Sequence, residues 1–445
     1  MINLHSAIAL AAVFLSMANA AATPTSSYLP QSSPTYLPKF PAQAGVITQW
    51  PPADPSAPLP SGALPSSVPG SIVSQTEYPP ANLPVANAET DPNIIPIMKL
   101  IDWNYVPNAT VTYPTPVSSG LSPSMDPSYP ADDPYCWWTY NQCDTPKISY
   151  IPPDITICPE PDTWGLTYDD GPLYFTTPTP ENAVYAEPNF YDFLLNHNNQ
   201  KANLFYIASK ILYAPVAAQR GLNDGHTICV HTWSHFSMTT LTNAQVVAEF
   251  YYSLRMIKQV LGITPKCWRP PYGDVDDRVR AIAWQMGLRT IVWDQDTDDW
   301  QIIGDQVAPT ASSITYATAN KTMAGYVANG QGGPHGHITL EHELSNATII
   351  LAESWLPTIQ KLYKTMPATA CNNIAQPYWE ESFVYDIQGT VAVSTNGSTV
   401  GGGSSTTGSP AGSTPSISGK NSGANLQAMG SIMTLVAAAV LAALL

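Results

Sequence analysis

The chain of 445 residues is too long for one small domain and long enough for a core of about 200–250 residues with further segments. It carries 17 Lys+Arg against 33 Asp+Glu, a formal net charge of −16, with only 11% charged residues. That balance argues against a nucleic-acid partner, which needs a basic face, and suits a neutral or cationic one.

In chain order, the apolar run from Ile8 to Met17 ends in Ala18-Asn19-Ala20, a small-residue cleavage pattern. Residues 1–20 are therefore expected to be a secretory signal peptide, although their start carries no Lys or Arg. Residues 21–150 are dense in Pro, Ser, Thr and Tyr. So much Pro continues neither a helix nor a central strand, which predicts an extended lead suited to O-glycosylation. Its part from 98 to 150 holds Trp103, Trp137 and Trp138, which are expected to pack on the domain that follows.

The texture changes over 155–370. The apolar patterns predict strands at 163–168, 202–208, 226–232, 289–295 and 337–343, and helices at 190–198, 243–262 and 276–287. Thr242 or Asn243 caps the long helix and Gly262 follows its end. Strands alternating with helices imply parallel βα units. Seven or eight such units in about 210 residues predict an α/β domain of barrel-like form. Residues 385–421 are rich in Gly, Ser and Thr, a composition expected of a disordered, flexible stalk. The segment 422–445 ends in an apolar tail behind a small-residue stretch and a polar spacer, the pattern of a GPI-anchor signal. Asn421 is the expected attachment residue, with Gly419 and Ser422 as rivals; such a chain is secreted, held at the cell surface and tied to the membrane by its lipid.

Six cysteines, Cys136, Cys143, Cys158, Cys229, Cys267 and Cys371, form no C-x-x-C pair. In a secreted chain they favour disulfides, with fifteen full pairings open. Cys136 with Cys143 would close a local loop, and Cys158 with Cys371 would staple the ends of the central domain. Sequons at Asn108, Asn320, Asn346 and Asn396 suit the secretory route.

Two short motifs carry chemistry. In LTYDDGP, Asp169 and Asp170 stand side by side before Gly171-Pro172; in HTWSH, His231 and His235 stand four apart after a predicted strand. On a helical turn that spacing puts both imidazoles on one face. A divalent cation held by two neutral imidazoles wants an anionic third ligand, and one Asp supplies it. The other Asp is then placed to take a proton from water, and the sharp Gly-Pro turn lets both acids reach one site. Taken alone, the first motif also suits a charged β-turn and the second a solvent-facing turn.

TYDDGP, HTWSH, RPPYGD, DTDDW and the LEH of HITLEHE follow one another in this order. The set resembles the five motifs of the polysaccharide deacetylase family (carbohydrate esterase family 4, the NodB homology domain) over residues 160–365. With the secretion signals and Pro-rich lead, the chain is most similar to the chitin deacetylases of fungi. The resemblance implies a distorted (β/α) barrel. It implies Asp169 as general base and acetate-contacting residue, and Asp170, His231 and His235 as ligands of one divalent ion, for which the donor set suits Zn²⁺ or Co²⁺. It implies Arg269 as the residue orienting the base, Tyr272 as a backbone donor to the acetyl oxygen, and His342 as general acid. Asp296, Asp299 and Trp300 fit its D-x-x-D-W motif, one Asp tuning His342 and Trp300 walling the acetyl pocket. Tyr168 replaces the more frequent Phe.

The implied activity is hydrolysis of the N-acetyl groups of N-acetylglucosamine units in chitin, giving chitosan and acetate. Alternatives are a deacetylase of another glycan, such as an acetylxylan esterase, and a non-catalytic chitin-binding wall protein. The run from Asp294 to Asp299 resembles the start of a Ca²⁺ loop, but Asp299 and Asp305 stand where Gly and Glu belong. His335 and His337 read as a loop entering a strand rather than a second metal pair, and His197 and His226 as structural residues. Trp233 suits a sugar ring or the core equally.

Overall fold

The computed structural model describes residues 28–48 except 42 and 44, 73–109, 129–174, 187, 189–302 and 314–385. The signal peptide, the stalk beyond Tyr385, the anchor tail, Asn396 and Asn421 lie outside them. Among the described residues no helix is long and apolar enough to cross a membrane.

The strands are β1 Thr163–Gly171, β2 Asn203–Tyr206, β3 Thr227–Val230, β4 Cys267–Trp268, β5 Arg289–Thr290, β6 Gln295–Asp296, β7 His337–His342 and β8 Lys364–Pro367. All pairings are parallel, and β1 to β3 are buried throughout, as expected where helices cover a parallel sheet. The order is β5-β4-β3-β2-β1-β7-β6. The first residues of β1 pair with β8, and its later residues pair with β2.

Contour length dictates the curl of this sheet. The end strands β5 and β6 are separated in sequence only by Ile291–Asp294, a link that spans at most about 18 Å. A flat path of these strands would hold its ends roughly 29 Å apart. The sheet therefore bends round towards closure, and the fold is the expected α/β distorted barrel. The same link corrects the single strand predicted at 289–295. The run is continuous in sequence, but β5 ends on one sheet edge and β6 begins on the other.

The longest helix, Asn243–Leu261, starts on a reciprocal cap. Gln245 N donates to Thr242 Oγ1, and Thr242 N donates to Gln245 Oε1. It stops at Gly262, whose φ of 74° suits a residue without a Cβ.

The lead does pack, and further upstream than the tryptophans at 103, 137 and 138 imply. Tyr78, Val85, Ala88, Ile94 and Ile97 are buried in the main core. Upstream still, Trp284 Nε1 donates to Leu29 O at 2.8 Å. Trp137 Nε1 donates to Asp274 Oδ1 at 2.8 Å, and Trp138 N donates to Val275 O at 3.0 Å, clamping the RPPYGD loop. Proline-rich chain achieves this by docking side chains and carbonyls on a finished surface, which needs no ladder of its own.

Both expected disulfides, Cys136–Cys143 and Cys158–Cys371, are formed, with Cys229–Cys267 as a third. Cys158–Cys371 joins residues 213 apart, so it restricts a long loop of the unfolded chain. Replacing both cysteines by Ser is expected to lower stability by about 2–5 kcal/mol, measured by denaturant unfolding against the unmodified chain.

Candidate active site

The motif residues meet at the carboxyl ends of the parallel strands, where α/β folds place their sites. Asp169 and Asp170 close β1, His231 follows β3, Arg269 follows β4, Asp296 ends β6 and His342 ends β7. The β1–β7 register pairs Asp169 with His342, so base and acid candidates stand on neighbouring strands.

Side chains on a regular strand alternate faces, which would separate Asp169 from Asp170. The structure resolves this at Asp170 itself rather than at the Gly-Pro turn. Asp170 adopts φ 72°, and the β1–β2 register shifts between Asp169 and Gly171. The HTWSH segment is likewise not a helical turn: Thr232 and His235 take φ 63° and 59°, bending a loop that brings both imidazoles to one place. Tyr272, beside the His235 ring, has φ 59°. Non-glycine residues in this region carry conformational cost and recur at functional sites.

Asp170 Oδ1 lies 3.2 Å from His235 Nε2 and 3.4 Å from His231 Nε2. His231 Nδ1 is 2.9 Å from Arg269 O, which assigns the proton to Nδ1 and leaves a lone pair on Nε2. Burial lowers the pKa of His235, favouring its neutral form. Asp170 Oδ1 is buried without a hydrogen-bond donor. Electron-rich atoms facing one another in this way fit a divalent cation, and Asp170, His231 and His235 form a group able to hold one.

Asp169 is fixed from behind. Arg269, fully buried, donates from Nη1 to Asp169 Oδ1 at 2.7 Å and to Thr167 Oγ1 at 2.8 Å, and from Nη2 to Val292 O at 3.0 Å. Its guanidinium also lies 4.2 Å from the centre of the Phe205 ring.

Of the two candidate carboxylates in DTDDW, Asp296 and Asp299, the latter is the partner of His342. Asp299 Oδ1 is 2.6 Å from His342 Nδ1, and Oδ2 accepts from His342 N at 3.0 Å. Burial works to lower the His342 pKa, but Asp299, then Asp170 and Asp169, overcome it and raise it to about 10. Asp296 instead accepts from Asp298 N at 2.8 Å and is pushed by burial up to about 6.

These groups open into a cleft of about 570 Å³ whose walls include Tyr272, Trp293, Asp296 and Trp300. Lys210 on its wall and Glu249 behind it escaped sequence reasoning. Lys210 Nζ donates to Asp170 O at 2.7 Å. Glu249, fully buried in the long helix, accepts from Trp233 N and Ser234 N, both at 2.9 Å, and from Ser234 Oγ at 2.6 Å. It thereby holds the loop between the two histidines. The apolar periodicity of that helix hid it, since an acid on a buried face gives no local signal of its partner.

Other candidates fall outside the cleft. Trp233 is fully buried against Tyr78, so it packs in the core. His226 accepts from Ala202 N, and His197 bonds Phe193 O, both structural contacts. Asp294, His335 and His337 form a second group with metal-ligating atoms near one another. There Asp294 Oδ2 bonds His337 Nδ1 at 2.6 Å, and Oδ1 accepts from Ile338 N at 2.7 Å, fastening the start of β7. Of the described sequons, Asn108 is exposed, Asn320 Oδ1 accepts from Trp355 Nε1, and Asn346 opens the helix Asn346–Leu362.

Residues 156–291 match the family model described as polysaccharide deacetylase. A chitin deacetylase of Amylomyces rouxii is 44% identical over 287 residues, covering 63% of this chain and 62% of the relative. Chitin deacetylase 2 of Cryptococcus neoformans var. neoformans serotype D is 44% identical over 257 residues, covering 57% of this chain and 53% of the relative. The chain thus spans between half and two thirds of the length of these relatives. The solved chitin deacetylase of Colletotrichum lindemuthianum overlays with a TM-score of 0.41 at 23% identity, covering 49% of this chain and 90% of that one. Through residues 156–291, which hold Asp169, Asp170, His231, His235 and Arg269 but not Asp296, Asp299 or His342, the chain is similar to the polysaccharide deacetylase family.

Proposed function

We propose that this protein hydrolyses the N-acetyl groups of N-acetylglucosamine units in chitin, releasing acetate and leaving chitosan. The observation that carries the reading is the placement of Asp169 and His342 on adjacent strands beside the Asp170–His231–His235 group. The 44% identical chitin deacetylases support the substrate, and a chain with only 17 Lys+Arg suits an uncharged polymer.

Asp170, His231 and His235 would hold a divalent ion, Zn²⁺ or Co²⁺ by donor type, which when bound polarises a carbonyl and acidifies water. The chain's own residues do the rest. Asp169, oriented by Arg269, accepts a proton as water oxygen bonds the acetyl carbon. The Tyr272 backbone N–H steadies the negative charge gathering on the acetyl oxygen. His342, protonated through Asp299, delivers its proton to the sugar nitrogen as the C–N bond breaks. Trp300 and Trp293 wall the site against water.

We further infer the layout of signal 1–20, Pro-rich lead 21–150, catalytic domain 155–370, stalk 385–421 and anchor signal 422–445. Secretion is supported by the apolar run at Ile8–Met17 and by three disulfides, which persist in oxidising compartments.

Protein loaded with Zn²⁺ or Co²⁺ is expected to release acetate from chitin oligomers, to lose that activity to a chelator and to regain it on re-addition. Release from acetylated xylan alone would favour the esterase reading; no release from either glycan with any ion tested would overturn hydrolysis.

A further inference from the structure

The lead reaches the cleft. Ala81 and Asn82, outside the segment matching the family model, line it together with Ser209, Lys210 and Tyr213. Their placement is built. Tyr78 stacks on Trp233 with ring centres 5.2 Å apart and planes 14° apart, and its hydroxyl donates to Gln259 Oε1 at 2.7 Å. Trp233 Nε1 donates to Pro80 O and Ser209 Oγ to Ala81 O, each at 3.2 Å. The Val85 backbone N–H bonds Glu249, the acid that also holds the histidine loop. Anchored on both sides, Ala81 and Asn82 have little freedom to leave the cleft, while the Asn82 side chain stays exposed.

The chemistry at this end is that of a sugar site. Asn82 offers a donor and an acceptor and no charge, matching hydroxyl and acetamido groups. Tyr213, 48% exposed and stacked with Tyr174 at 5.3 Å, presents an aromatic face with a polar tip. We propose that Ala81 and Asn82 of the Pro-rich lead, with Tyr213, form a wall that binds a sugar unit beside the reacting one, so that the lead sets preference for longer chains. This rests on the glycan reading of the same cleft.

The test is tryptophan-fluorescence titration of the full chain with chitin dimer and hexamer, comparing the unmodified protein with Asn82→Ala and Ala81→Trp. Asn82 is exposed, so its truncation leaves the core intact. The expected result is a hexamer Kd raised about threefold to tenfold in Asn82→Ala, the worth of one neutral hydrogen bond. The dimer should change less, and Ala81→Trp should move the same ratio further. An unchanged hexamer Kd, an equal loss at both lengths, or no hexamer binding to the unmodified chain would overturn the wall. Acetate measured in the same samples separates the two readings. Length-selective binding without acetate sinks deacetylation and keeps the wall, whereas acetate with unchanged length preference sinks the wall alone.

Discussion

Asp169→Asn is expected to lower kcat by about a hundredfold to ten-thousandfold, the range a positioned general base contributes. The substitution keeps the shape of the side chain and an oxygen for Arg269 Nη1, now 2.7 Å from Asp169 Oδ1. It removes the charge that accepts the proton. It also leaves the Arg269 guanidinium buried beside a neutral partner, which costs stability. Bonds from Arg269 to Thr167, Ile291 and Val292 remain and limit that cost. Since Asp170, His231 and His235 are untouched, bound metal should stay near the unmodified level. Loss of metal together with activity would contradict the division of labour between the adjacent acids.

Asp299→Asn should produce the second large effect, about a hundredfold or more in kcat, with an altered pH profile as its signature. A general acid must be protonated to act. The carboxylate 2.6 Å from Nδ1 keeps His342 protonated to about pH 10, against an ordinary value of 6.5. Activity should therefore persist into alkaline solution and fall as pH rises through the folded-state value. Without the Asp299 charge, burial acts with less opposition, and the alkaline limb should move to lower pH. Stability follows the same sign. A raised folded-state value stabilises fully below about 6.5 and is lost as pH rises through about 10. The variant should lose more stability in mildly acidic buffer than in alkaline buffer. A uniform fall in kcat with an unmoved alkaline limb would show that Asp299 only shapes the strand end.

Much of this site was legible because its chemistry is local in sequence. Adjacent acids, a paired histidine motif and an Arg-Pro-Pro loop each follow a strand, and apolar periodicity marked most of those strands. The cap and stop of the helix Asn243–Leu261 could be read from Thr242 or Asn243 and from Gly262 for the same reason, while the reciprocal bond from Gln245 could not. What escaped depends on distant partners. The left-handed turns at Asp170, Thr232 and His235 are imposed on residues with no intrinsic need for them. β4 is two residues long, too short for a period, and exists because β3 and β5 flank it. The break between β5 and β6 follows from curling the sheet. Glu249 and Lys210 gain their roles across the fold, and Ala81 and Asn82 gain theirs by docking of a proline-rich segment without any repeating pattern.

Anomalous diffraction from crystals of Zn²⁺-loaded protein is the decisive measurement. One peak is expected, enclosed by Asp170, His231 and His235 and absent from a His231→Ala, His235→Ala double variant that still folds. No peak there, or a peak only at Asp294, His335 and His337, would contradict that placement.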